Sequence, residues 1–422
     1  MKEANNEGSS ERSKAYFSYL IFIMILVTIL DLYITVFPSV ISSKIIEEFL
    51  LSDYSINVAT SIYALCVAIA SLGMYLILLN QFLADRIGRK LMLAITVFGM
   101  AISSLLLATA TDIVQYTIYL FMLYTFFSSD MWLIYINEES PPEKRAFWTN
   151  IVLIGSLIGA LLVPIFRIIF ITETSSNWRG LTLFPIILGI PLGLIILFTI
   201  KESSKYEQIK EGKIKEATPS FRENLKHIKF SQFYIMLFIS FIIGMNFVFI
   251  SLGETLVSNS AYLNEGDINI VLFFTTAGAV LGYLITGLLG DKIGRKPLLY
   301  FFSITFPIGI IIAVVSVSYP YNTLLLVAIG AGIANLCYSG LIVITGIITI
   351  ELIPTEARGT GSGIRGFFRA GGITSGLLLC ALITFFYGLA VALFLISILF
   401  FLTPPIVFLI LKETKGVDLA EV

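Results

Sequence analysis

The sequence predicts an all-α membrane protein whose twelve transmembrane helices form two six-helix pseudo-repeats. Three observations predict it. Of 422 residues, 57% are apolar and 13% charged, too few polar groups to clothe a soluble fold. Apolar runs of about 20 residues recur along the chain, each long enough to cross a hydrocarbon core about 30 Å thick. Two polar motifs occur twice, in the same order and at nearly the same offset. Gln81-Phe-Leu-Ala-Asp-Arg-Ile-Gly-Arg-Lys90 is echoed by Gly287-Leu-Leu-Gly-Asp-Lys-Ile-Gly-Arg-Lys296. Glu138-Glu-Ser-Pro-Pro-Glu-Lys-Arg145 is echoed by Glu351-Leu-Ile-Pro-Thr-Glu-Ala-Arg358. Parallel repeats of this kind are one transporter architecture.

Residues 1–15 are polar, with Lys2, Arg12 and Lys14. The apolar run at about 15–37 is too long for a signal-peptide core and has no small-residue cleavage site after it, so it reads as a retained first helix. Further helices are expected at about 57–80, 91–110, 113–136, 148–171 and 180–201. Residues 201–229 mix Lys205, Lys210, Lys213, Lys215, Arg222 and Lys226 with Glu202, Glu207, Glu211, Glu216 and Glu223. They read as a solvated linker with short amphipathic helices. The second half gives helices at about 230–256, 269–290, 297–318, 321–350, 363–387 and 388–411. The chain then divides into an N-terminal bundle (1–200), a cytoplasmic linker (201–229) and a C-terminal bundle (230–422).

Of the 27 Lys and Arg residues, all but Lys44, Arg167 and Arg179 fall on one side of this layout. The positive-inside rule places both termini in the cytoplasm, in a multi-pass protein of the cell (plasma) membrane. A net charge of −1 leaves no basic footprint for nucleic acid. No segment resembles a soluble enzyme domain, and no Walker phosphate loop is present, so an ion or solute gradient must supply the energy. Cys66, Cys337 and Cys380 lie in apolar runs and read as free thiols. His227, the single histidine, falls in the linker. Neither a metal site nor a cofactor is expected.

The Gly-x-Leu-x-Asp-x-x-Gly-Arg-Lys pattern resembles the signature loop of the major facilitator superfamily. The run Glu351–Gly359 resembles the matching motif of its sugar and metabolite porter branches, nearest the sugar/metabolite:H+ symporters. Both occur in both halves, and the resemblance covers nearly the whole chain. It implies a monomer working by alternating access, with the first, fourth, seventh and tenth helices lining a central site. It also implies a cytoplasmic gate of Asp85, Arg89, Glu138 and Arg145 in one half and Asp291, Arg295, Glu351 and Arg358 in the other, closed in the outward-facing state. Read from the residues alone, Gly88 and Gly294 free the backbone for a tight turn, and the basic residues after them anchor the loop. Gln81 stands where the family has its first Gly.

Charges at bilayer depth are functional candidates by default. Four fall within the expected helices: Asp31, Asp130, Arg167 and Glu254. Asp31 lies about 24 Å along its helix, and Asp130 about 12 Å from the Glu138 end of its own. A carboxyl held away from water can take up and release a proton during a cycle, so Asp31 and Asp130 are the proton-coupling candidates. Many family members carry a carboxylate at a similar place in the first helix, and sugar porters pair it with a fourth-helix Arg. Ile118 takes that place here, which leaves Arg167 as the expected partner of Asp31 and Glu254 as a further charge partner. The competing reading is that Arg167 and Glu254 snorkel to the outer interface.

The sugar porters' seventh-helix pattern Gln-Gln-x-x-Gly-x-Asn survives only as Gly244 and Asn246, with Ser240 and Phe241 in place of the glutamines. Ala160 and Gly346 replace a further Gln and Trp. Unpaired hydroxyls in a dry site are penalised, so hexose transport in the family's usual manner is not expected. Tyr33, Asn246, Asn335 and Tyr338 are the candidate cavity residues. Three carboxylates against Arg167 make the interior net negative, which suits a proton with a cationic or neutral solute. Arg365 and Arg369 could instead meet a carboxylate at the inner mouth. The expected function is H+-coupled symport of a small non-hexose metabolite, with the bilayer, a solute and a proton as partners. The alternatives are H+-driven export of amphipathic or drug-like compounds, and a transport-inactive sensor on the same fold, against which the short tails argue.

Overall fold

The computed structural model describes residues 13–127, 131–141, 144–210, 230–321, 323–353 and 358–414. Among them, twelve helical spans are long and apolar enough to cross a membrane. The first six are Lys14–Val40, Ile56–Leu76, Arg89–Ala108, Ile113–Glu139, Phe147–Phe170 and Trp178–Gln208. The second six are Gln232–Ser258, Glu265–Ile293, Arg295–Ser316, Thr323–Glu351, Gly361–Tyr387 and Leu389–Leu409. The apolar runs therefore locate every span to within a few residues, except that the sixth continues to Gln208.

Local chemistry fixes the ends. The Ser13 hydroxyl accepts from the Tyr16 N–H and caps the first helix. Asn264 and Asp267 cap each other's backbone N–H at the start of the eighth. Gly88 and Gly294 have φ of 105° and 112°, a region that favours glycine; Gly294 joins the eighth span directly to the ninth, and Gly88 joins the helix Ile77–Ile87, which follows the second span, to the third.

The two halves repeat one packing scheme. The first span packs on the fifth and the third on the sixth; the seventh packs on the eleventh and the ninth on the twelfth. Contact between the halves runs along the second and eleventh spans and along the fifth and eighth. Ser61 donates to the Ala381 carbonyl at 2.7 Å, and Ser71 and Thr374 share a hydroxyl bond of 2.8 Å across the first of these seams. Large apolar side chains such as Phe198 and Leu288 point outward, where lipid rather than protein would meet them.

Two elements were not anticipated. A short amphipathic helix, Ser42–Phe49, follows the first span. An antiparallel pair, Ile171–Thr172 with Ser175–Ser176, joins the fifth span to the sixth. The charged segment, expected as a solvated linker with short amphipathic helices, opens with one such helix. Ser204–Lys210 is helical, and it docks on the first half through the Tyr206 hydroxyl, which donates to the Arg86 carbonyl at 2.9 Å.

Candidate functional site

The repeated motifs build two matching clusters at one end of the bundle, here the motif end. In the first half, Arg89 Nη2 lies 2.9 Å from Asp85 and its Nε 3.4 Å from Glu138. In the second, Arg295 lies 2.9 Å from both Asp291 and Glu351. Each Arg also donates back to a helix carbonyl, Ala84 at 3.2 Å and Gly290 at 2.9 Å. These clusters are closed within each half: every described ion pair in them joins residues of the same half. Asp85 and Asp291 are exposed on their outer edges. The Arg145 and Arg358 side chains lie outside the described residues.

Sequence reading missed a third repeat that completes both clusters. Glu202 accepts from the Lys90 N–H at 3.0 Å, and Glu413 accepts from the Arg295 and Lys296 N–H groups at 2.9 and 3.1 Å. A carboxylate thus caps the N-terminus of the third span and of the ninth, where the helix dipole favours it. The next residues, Ser203 and Thr414, donate to Glu138 and Glu351, both at 2.5 Å. Gly287, the counterpart of Gln81, would meet nothing within 4 Å if it carried a Cβ, so the position does not demand glycine in this conformation. Gly88 does demand it, because a Cβ there would overlap Glu202 and strain a left-handed φ. Gly88→Ala should therefore destabilise the protein by about 1–3 kcal/mol; a melting temperature equal to that of the parent would contradict this.

At the opposite, far end, the halves are joined by buried charge. Arg167 is fully buried near the end of the fifth span. Its Nε donates to the Val40 carbonyl at 2.8 Å and its Nη1 to Asn269. Nη2 bonds Glu254 at 2.8 Å and lies 3.4 Å from Glu265. The Glu254 carboxylate also accepts from Ser42 Oγ at 2.9 Å, from the Ser43 N–H and Oγ at 2.7 and 2.6 Å, and from Ser258 Oγ at 3.0 Å. Lys44 reaches Glu265 at 2.6 Å. Burial alone would lower the Lys44 ammonium pKa, but Glu265 and Glu47 outweigh it and hold it above the ordinary value. Its stabilising charge is complete at neutral pH and is lost only as pH rises through that raised value.

This geometry corrects the expected Asp31–Arg167 pair. The hydrogen bonds of Arg167 among the described residues all go to the far-end cluster. Asp31 is half-buried on the first span, and its carbonyl accepts from Thr35 Oγ1 at 2.8 Å. Asp130 lies outside the described residues. Three cavity candidates are committed to packing in this conformation. Tyr33 is fully buried against Phe37, Phe166 and Phe184, and it donates to the Leu181 carbonyl at 2.7 Å. Asn246 is buried and donates to Ile242 of its own span at 3.0 Å. Asn335 donates to the Thr275 carbonyl at 2.9 Å, tying the tenth span to the eighth. Tyr338 stacks near Phe306, with a ring separation of 5.8 Å.

The comparisons with known proteins agree with this architecture. Residues 21–262 and 236–421 match the profile of the Major Facilitator Superfamily. Over 333 residues the chain is 23% identical to the sialic acid transporter NanX of Escherichia coli (strain K12), covering 75% of this chain and 76% of that protein. It is 26% identical over 359 residues to NiaP of Bacillus subtilis (strain 168), a protein named as a niacin/nicotinamide transporter, covering 80% and 83%. Among solved structures, a D-xylose-proton symporter superposes with a TM-score of 0.77 at 16% identity over 95% of this chain and 99% of that one, a likeness of fold. With both halves of its sequence matched and its twelve spans arranged as two six-helix repeats, the chain belongs to the Major Facilitator Superfamily and is a multi-pass membrane transporter, not an enzyme.

Proposed function

We propose that the chain imports a small non-hexose metabolite by proton-coupled symport, working as a monomer in the cell membrane with its motif end and both termini in the cytoplasm. The observation that carries this is the asymmetry of its closures. The far end is held shut by charges that bridge the halves, while the described ion pairs of the motif clusters each lie within one half. Charge that bridges the halves at one end, with ion pairs kept within each half at the other, suits one end state of alternating access. The Lys and Arg distribution favours the motif end as the cytoplasmic one, which makes this conformation closed to the outside. Residues 1–200 and 230–422 would be the rocking units. The gate would engage when Asp85 and Asp291, now exposed, meet the opposite half.

Asp31 is the proton carrier in this reading, with Asp130 as the second candidate. A half-buried carboxyl on a lining span can change charge as each face opens. The test is uptake and counterflow in proteoliposomes with an imposed proton gradient. Asp31→Asn should keep solute exchange within about threefold of the parent while accumulation falls to the equilibrium level, because only the gradient-driven step needs the titrating group. Full accumulation in Asp31→Asn would remove Asp31 from the coupling step. Expulsion of the solute under the same gradient would favour an exporter.

A further inference from the structure

We infer that the central site takes an organic carboxylate, held by Arg369 of the eleventh span with Arg365 one turn away. This rests on the carrier reading above and names its substrate class. The Arg369 backbone packs on Gly244, at the middle of the seventh span, and Tyr338 lies beside the midpoint of the tenth. The guanidinium is therefore rooted at mid-bundle depth, where a charge is costly and is kept for a partner or a ligand. Arg369 is half-buried, and among the described residues it makes no ion pair or hydrogen bond. Its field reaches Tyr283 of the eighth span and Tyr338 of the tenth. Arg365 follows at i−4 on the same helix face. Its Nη1 lies 3.4 Å from Thr345 Oγ1, and its Nη2 occupies space beside Gly346 that a larger residue would narrow.

The charge balance of the interior points the same way. Counting Asp31, Asp130 and Glu254 against Arg167 along the sequence makes the interior net negative, but Glu254 and Arg167 do not belong to that count. The structure places both in the far-end cluster, where they neutralise each other together with Lys44 and Glu265. Arg365 and Arg369, which that count left out, place two guanidiniums in the second half, with Asp31 in the first; Asp130 lies outside the described residues. A guanidinium presents two parallel N–H groups that match the two oxygens of a carboxylate. Tyrosine hydroxyls can donate to the same group. The C-terminal half thus has the chemistry for an organic acid, and the N-terminal half has a group for the co-transported proton.

The test uses the full chain, in detergent and in proteoliposomes, with acid and neutral pairs: niacin and nicotinamide, benzoate and benzamide, proline and prolinamide, sialic acid and its methyl ester. At least one acid should raise the melting temperature and exchange in counterflow, while its neutral partner at the same concentration does neither. Arg369→Gln should weaken that acid roughly 10- to 100-fold, the usual loss for a hydrogen bond to a charged group. Arg369→Lys should retain part of the affinity as a point charge without the fork, which separates lost binding from lost folding. The inference is overturned if no acid binds the parent protein, or if neutral partners bind equally. It is also overturned if Arg369→Gln slows exchange without changing its half-saturation concentration, the mark of a gate residue. An acid that binds without flux would sink the carrier reading and leave the carboxylate site standing.

Discussion

Glu254→Ala is expected to open the far end of the molecule, at a cost to the closed conformation of about 3–5 kcal/mol. The reason is what the substitution leaves behind. Arg167 is fully buried and would keep only the Val40 carbonyl, Asn269 and the more distant Glu265. Ser42, Ser43 and Ser258 would lose the acceptor they share. Arg167, Ser42 and Ser43 belong to one half, and Glu254, Asn269 and Glu265 to the other. The cost therefore falls on the conformation in which the halves meet. A few kcal/mol moves a two-state equilibrium by a factor of about 100 or more. Val40→Cys, in a background without Cys66, Cys337 and Cys380, reports this directly, because Val40 is buried at the seam. Labelling by an impermeant maleimide should rise at least about tenfold when Glu254→Ala is added. Replacing both partners, Arg167→Leu with Glu254→Leu, should fold better than the single change, since apolar replacement of a buried pair is often neutral. A lower melting temperature with unchanged labelling would mean a structural ion pair and no gate.

The spans and the repeat were legible because lipid imposes them: a length of apolar chain and two copies of a charged turn survive without any knowledge of contacts. Azimuth was not legible. In a helix that is apolar all round, the 3.6-residue period leaves little trace, so nothing in the sequence tells whether Tyr33 faces a cavity or the Leu181 carbonyl. The same blindness paired Arg167 with Asp31. Depth along the helix marked both as expensive charges, but Asp31 lies about 13 Å further down the first span than Val40, the residue that Arg167 meets. The Glu202-Ser203 and Glu413-Thr414 caps were legible in principle. Each follows a Lys at the end of a half, and an alignment of the halves that allows a short gap would have matched them. Two residues are too few to stand out without the geometry that makes them caps.

Gly278→Val is expected to be among the most damaging single changes within one half. The eighth and tenth spans touch backbone to backbone. A Cβ on Gly278 would overlap the Gly332 carbonyl oxygen, and one on Gly282 the Leu336 carbonyl. Small residues at this spacing are what let helices approach so closely in a membrane. A backbone atom cannot swing aside as a side chain can, so the helices themselves must part. Overpacking alone costs about 1–3 kcal/mol, occasionally more. The Asn335–Thr275 bond spans the same seam, and losing it adds about 1 kcal/mol. Gly287→Val is the control, on the same span with open space where the Cβ would go. Gly278→Val should give little folded protein or a sharply lowered melting temperature, while Gly287→Val should melt with the parent. The seam also sets the distance between Tyr283 and Tyr338, so any Gly278→Val protein that folds should lose affinity for its solute. If instead it folds, melts and binds as the parent does, the two spans can separate freely, and their close approach is not what fixes the central site.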